Sequence, residues 1–176
     1  DGSTDASLSQ VQKWRRTTPD IPVKIIEQNH GGVAAARNTG VAAAEGKYIA
    51  FLDQDDLWEP EKLSIQISSL EHNNVPWHYA AFIRFYDDGR EKMKNQGSSD
   101  KDDTWFRLMN GSLFIPPSVA LVQRDLCQET PFVPGLAPSD DWDFFLRLSR
   151  SYSCAYAHTP LVRFRSHHSS TGKRQA

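Results

Sequence analysis

The sequence predicts an α/β domain, a sheet packed between helices. Three observations predict it. Tyr48-Ile49-Ala50-Phe51-Leu52 is a continuous apolar run, which suits a strand covered on both faces in a parallel sheet. That run lies between two helical patterns, one alanine-rich and one opening at Pro60. The chain is 176 residues long, with 39% apolar and 24% charged residues, which is enough for one ordinary globular domain with its own core.

The elements follow in order. Asp1 to Asp5 is turn and N-cap chemistry; Ser3, Thr4 or Asp5 can cap a helix starting near Ala6, with Leu8, Val11 and Trp14 at helical spacing. Val23-Lys24-Ile25-Ile26 reads as a short strand, and residues 28–32 as a polar, glycine-containing loop. Val33 to Ala44 is rich in alanine and reads as a helix stopped by Gly46. After the apolar run the chain breaks sharply at Asp53-Gln54-Asp55-Asp56. Pro60 then suits a first helical turn, with Leu63, Ile67 and Leu70 as the inward face. Trp77 to Tyr86 is a strand that turns back at Asp87-Asp88-Gly89. Thr104–Met109 reads as a short helix, Val119–Val122 as a strand and Asp140–Arg150 as a helix with Phe144, Phe145 and Leu148 inward. Cys154–Ala157 and Leu161–Phe164 read as two late strands.

The bulk numbers exclude several classes. A net charge of -2 exerts no general pull on nucleic acid or anionic membranes. Cys127 and Cys154 have no CxxC spacing, so they suggest neither a disulfide framework nor a zinc site and read as reduced thiols. No apolar run approaches the ~20 residues that span a bilayer.

Four clusters carry potential chemistry. Asp53, Asp55 and Asp56 follow a buried strand, and ligands of open α/β sheets sit beyond strand carboxyl ends. Three carboxylates so close repel one another unless a cation intervenes, and oxygen ligands suit Mg²⁺ or Mn²⁺; a solvated acidic turn is the other reading. Gly31-Gly32 precedes a helix whose N-terminus favours an anion, with Arg37 and Asn38 a turn inside; a plain packing helix is the alternative. Ser139-Asp140-Asp141-Trp142 opens a helix, so these acids are either N-caps favoured by the helix dipole or a general base whose pKa its neighbours raise. His167 and His168 can complete a metal or phosphate site, or stand exposed and idle.

Taken in order, the segments Asp1-Gly2-Ser3-Thr4-Asp5, Asn29-His30-Gly31-Gly32, Ala36-Arg37-Asn38-Thr39-Gly40, Ala44 to Asp56, Trp58-Glu59-Pro60 and Lys62-Leu63 closely resemble the nucleotide-binding half of the family 2 inverting glycosyltransferases. Asp140-Asp141-Trp142-Asp143-Phe144-Phe145-Leu146-Arg147 resembles that family's catalytic helix. The resemblance implies a GT-A-like fold, a mixed, mostly parallel sheet sandwiched between helices, here lacking the first strand, first helix and second strand. It implies one catalytic domain over residues 1–176, with 1–70 the nucleotide-binding half and 71–176 the acceptor-binding half.

By position, the resemblance places Asp1, Arg37, Asn38, Asp53 and Asp55 at the nucleotide. Asp55 and Asp56 become ligands of Mn²⁺ or Mg²⁺, Asp141 the catalytic base and Asp140 the residue that orients the acceptor. It implies transfer of a hexosyl-type sugar, from UDP in most relatives, to a saccharide or lipid-linked hydroxyl in cell-surface polysaccharide synthesis. That work is done in the cytoplasm at the inner membrane face, with no nucleic acid involved. Trp105, Phe114 and Trp142 are candidates for stacking on sugars, with a plain core position the favoured reading of each. The missing opening elements imply a fragment that folds poorly and binds nucleotide weakly. Two other readings stay open, a nucleotidyltransferase that makes nucleotide-sugars and a non-catalytic remnant module.

Overall fold

The computed structural model describes residues 1–166. The N-terminal part holds α1 (Ser7–Thr17) and α2 (Val33–Ala43), then β1 (Tyr48–Ala50), β2 (Leu57–Trp58) and α3 (Lys62–Asn73). The second part holds β3 (Trp77–Tyr86), β4 (Glu91–Lys94), α4 (Lys101–Met109), a 3₁₀ turn (Pro117–Val119), β5 (Leu121–Gln123), α5 (Arg124–Glu129), α6 (Asp140–Ser151) and β6 (Cys154–Ser166). One hydrophobic core runs from Ala34 to Val162 and draws on both parts.

The strands form one mixed sheet in the order β1-β5-β3-β6-β2, with β4 added to β3. The mixed character is as the sequence implies, but the parallel share is smaller. Among the described residues only β3–β6 is parallel; β1–β5, β3–β5, β3–β4 and β2–β6 are antiparallel. Parallel neighbours need a long crossover. Between β3 and β6 that crossover carries α4, β5, α5 and α6, whereas β3 and β4 close through the tight turn at Asp87-Asp88-Gly89. β6 is one strand where two were expected; its pairing with β3 slips around Ala80–Phe82, which interrupts the apolar pattern.

The sheet curls. β1 and β2 stand at opposite ends of the strand order yet are joined by residues 51–56 alone. Flat, four inter-strand gaps would span roughly 19 Å. The seven backbone steps available reach about 24 Å only if fully extended, and a turn closed by Asp56 N–H on the Asp53 carbonyl, at 3.1 Å, shortens them. The acidic segment is therefore a strap between the two ends of the sheet.

Three local expectations need correction. Val23–Ile26 forms no strand: no neighbour among the described residues pairs with it, and the nearby backbone bond is Gly2 N–H to the Gln28 carbonyl at 2.9 Å. The apolar run at β1 is not covered on both faces. Ile49 and Phe51 are buried while Leu52 is exposed, because β1 has one sheet neighbour and sends Phe51 edge-on to Phe132 and Phe144. In α3 the inward face is Lys62, Gln66 and Leu70, not Leu63. Lys62 Nζ donates to Gln66 Oε1 at 2.6 Å and sits 4.5 Å from the Trp58 ring, and Gln66 Nε2 meets His78 Nδ1 at 2.9 Å. A buried polar network, in which His78 Nε2 alone lacks a partner among the described residues, has rotated the helix away from its apolar stripe. Burial pushes the Lys62 ammonium down to about 7; burial, then the Lys62 charge, pushes His78 down to about 4.

Helix α4 starts three residues before its expected start because Asp100 caps it, its side chain accepting from the N–H groups of Asp102 and Asp103. Asp100→Ala should lower stability by about 1 kcal/mol, read as a fall in the urea midpoint at unchanged slope. α1 forms as expected but none of its residues is buried. No helix among the described residues is long and apolar enough to cross a membrane. Both cysteines are buried free thiols.

Candidate active site

The site forms where the acidic strap, α2 and the start of α6 meet. Arg37, half a helix into α2, points its guanidinium at both sides. Nη2 donates to Asp53 Oδ1 and Oδ2 at 3.0 and 3.2 Å, and Nη1 donates to Asp140 Oδ2 at 2.9 Å. A planar fork can hold two carboxylates at once, so residues 103 apart in sequence are fixed together. Arg37 is thus committed to two carboxylates of this chain.

Asp140 is buried by this contact. Asp141, next to it, is tied among the described residues only to the N–H of Trp142, at 2.7 Å. Burial pushes the Asp141 carboxyl up to about 6; the Trp142 N–H opposes this, the Asp140 charge adds to it, Arg37 opposes and Asp53 adds. No side-chain cap bond forms at α6, and Asp140, Asp141 and Asp143 all lie in its first turn, where the helix dipole favours them. The arrangement leaves one carboxylate locked and its neighbour a better proton acceptor.

Asp56 is buried at the foot of the strap. Its Oδ1 accepts the Arg165 N–H at 2.9 Å, and its Oδ2 is buried with no partner among the described residues. Burial raises its carboxyl to about 6, against the Ser118 hydroxyl and the Arg165 N–H and with help from the Asp53 and Asp55 charges. No group of three or more His, Cys, Asp or Glu gathers as a metal site among the described residues. The donors that do fit a hard divalent cation are carboxylate oxygens, among them Asp56 Oδ2, buried and unpaired among the described residues. His167 and His168, with the basic tail, lie outside the described residues.

Asp1 occupies the anion position before α2: its carboxylate accepts the Gly31 and Gly32 N–H groups at 2.8 and 3.1 Å, Gln28 Nε2 at 2.9 Å, and contacts His30 Nδ1 at 3.1 Å. The backbone N–H groups expected to meet a ligand anion are thus turned to Asp1. Asn38 braces α2 against the segment before α6, giving Nδ2–H to the Phe132 carbonyl at 2.8 Å and accepting the Phe132 N–H at 2.9 Å. Of the candidate aromatics, Phe114 is exposed, Trp142 uses its indole N–H on the Leu108 carbonyl and Trp105 packs near Arg150.

Sequence reasoning missed Ser118. Its Oγ accepts the Asp53 N–H at 3.0 Å, and its hydroxyl lies close enough to Asp56 to favour the ionised carboxyl there. Three consecutive carbonyls fix its turn: Ser118 accepts from Trp58 Nε1, Val119 from Gln66 Nε2 and Ala120 from Lys62 Nζ. The signal available was Pro116-Pro117 before a serine, since proline favours the first position of a helical turn. Nothing in the sequence pointed to the Arg165 backbone.

A mixed α/β sheet with an acidic strap facing a helix that opens on paired carboxylates is the GT-A class of glycosyltransferase. The chain belongs to glycosyl transferase family 2: residues 1–130 match the sequence model with that description. It is 41% identical over 83 residues to the UDP-Glc:alpha-D-GlcNAc-diphosphoundecaprenol beta-1,3-glucosyltransferase WfgD of Escherichia coli, covering 47% of this chain and 31% of that protein. The fold superposes on S. aureus TarS 1–349 in complex with UDP-GlcNAc with a TM-score of 0.75 at 17% identity, covering 100% of this chain and 50% of the other. It also superposes on Mycobacterium tuberculosis glucosyl-3-phosphoglycerate synthase in complex with Mn²⁺, UDP and glucosyl-3-phosphoglycerate, with a TM-score of 0.54 at 20% identity over 94% and 59%. The chain spans between 14% and 53% of the length of curated relatives such as these.

Proposed function

We propose that this chain carries the catalytic machinery of a metal-dependent inverting glycosyltransferase, which moves a sugar from a nucleotide-sugar, of the UDP type, to a hydroxyl of a saccharide or lipid-linked acceptor in cell-surface polysaccharide synthesis. The observation that carries the reading is the Arg37 bridge, which brings the acidic strap (Asp53) to the catalytic helix (Asp140) and leaves Asp141 unpaired beside them. The relative WfgD, named for a UDP-sugar donor and a lipid-diphosphate acceptor, and the neighbour described with Mn²⁺ and UDP, support the donor and metal.

In this reading Asp1 and Asp53 stand at the nucleoside, Arg37 and Asn38 hold the wall behind them, and Asp55 with Asp56 would hold Mn²⁺ or Mg²⁺. A divalent cation bound there supplies charge neutralisation for the diphosphate that leaves. Asp141 accepts the proton of the acceptor hydroxyl as that oxygen forms a bond to the anomeric carbon. The bond from that carbon to the diphosphate breaks on the opposite face, its electron pair leaving with the nucleoside diphosphate, so configuration inverts. Asp140, immobilised by Arg37, fixes the helix start that aims Asp141.

Calorimetric titration of UDP should show binding that requires Mn²⁺ and is lost in Asp55→Asn, and the protein should release UDP from a UDP-sugar. Metal-independent UDP binding that survives Asp55→Asn would overturn the assignment.

A further inference from the structure

On the β3–β4 face lies a small, partly open pocket of about 50 Å³, walled by Phe82, Phe114, Leu113 and Tyr156 and carrying Arg84 and Lys94. In the β3–β4 pair Phe82 faces Lys94 and Arg84 faces Lys92. Side chains two apart share a face, so Arg84 and Lys94 are diagonal neighbours on the same side as Phe82, within reach of one another.

Neither cation has a carboxylate partner among the described residues. Their neighbours do: Arg90 pairs with Asp88, Arg163 with Glu91 and Arg165 with Asp87. Arg84 is held between rings, its guanidinium 5.9 Å from Phe114 and 5.5 Å from Phe164, and its Nε is buried without a hydrogen-bond partner. A buried N–H left unpaired is costly, and two like charges on one face repel. An anion entering the cavity would relieve both. The aromatic wall leads toward the strap: Phe164 precedes Arg165, whose N–H holds Asp56, and Phe114 lies four residues before Ser118, which holds Asp53.

We propose that this pocket and its open mouth bind the diphosphate of a lipid-linked acceptor, one phosphate drawn to Arg84 and Lys94 and the first part of the apolar chain lying outside over the exposed Phe114. The assignment rests on the transferase reading and names the acceptor class for it. An anionic head beside apolar rings matches a cavity that combines two unpaired cations with an aromatic wall.

The test is calorimetric titration of geranyl diphosphate, inorganic diphosphate and geraniol in metal-free buffer with chelator, so that binding at the strap is suppressed. Geranyl diphosphate should bind at least tenfold more tightly than either of the others. Arg84→Gln and, separately, the rim variant Lys94→Gln should each weaken it about tenfold while leaving Mn²⁺-dependent UDP binding and the melting temperature intact. Asp55→Asn should abolish UDP binding and leave geranyl diphosphate binding unchanged, so the two readings fail separately. Undetectable binding, geraniol binding as tightly, inorganic diphosphate binding as tightly, or insensitivity to both substitutions would each overturn the proposal.

Discussion

Asp141→Asn should lower kcat by about 10²–10⁴-fold, the range for loss of a positioned general base, while Mn²⁺-dependent UDP binding is retained. The amide keeps the size and the contact with the Trp142 N–H but cannot take the acceptor's proton. In the parent protein, kcat/KM should fall about tenfold per pH unit below about 6, where burial has placed the Asp141 carboxyl; the variant should lose this limb. Stability moves oppositely. A carboxyl raised from 3.8 to about 6 binds its proton more tightly in the folded state. Its contribution to stability is therefore greatest below 3.8 and is lost as pH rises through 6. Asn carries no such penalty, so the variant should melt higher than the parent at pH 8 and show no such advantage at pH 4. Near-normal turnover with nucleotide binding intact would remove Asp141 from the mechanism.

Arg37→Met should destabilise the protein by about 3 kcal/mol or more at neutral pH, because it leaves Asp140 buried without its partner and releases Asp53 from α2. Urea unfolding at pH 7.5 should show the loss as a lower midpoint at unchanged slope. Arg37→Lys should not restore it, since an ammonium cannot reach both carboxylates with a rigid fork. UDP binding should fall with the loss of the wall behind Asp53. A change below about 1 kcal/mol at pH 7.5 would mean that the bridge does not fix the site.

Much of the frame was legible in sequence, and the physical reason differs by element. α2, β3 and α6 each carry a strong local signal, alanine content, β-rich alternation or inward aromatics, and their observed bounds lie close to the expected ones. The strands near β1 misled because an apolar run says that residues are buried, not that both faces are. Leu52 is exposed since a single neighbour, β5, pairs with β1. α3 misled because a lysine and a glutamine are buried where leucine and isoleucine were expected, and burial of Lys62 depends on carbonyls and a tryptophan ring brought from elsewhere. At the site, the carboxylates were readable as motifs. Their pairing was not, because the Arg37–Asp140 contact exists only once the chain has folded. Ser118 is of the same kind, one hydroxyl made important by the Asp53 N–H it accepts.

The strap formed by residues 51–56 has a mechanical meaning. It fastens the first and last strands of the curled sheet as a buckle fastens a belt, so whatever grips its aspartates also tightens the whole band. A cation or a diphosphate seated there should slow amide exchange in β1 and β2 together, though these strands do not pair with each other. Cutting or loosening the strap should let both ends of the band open at once.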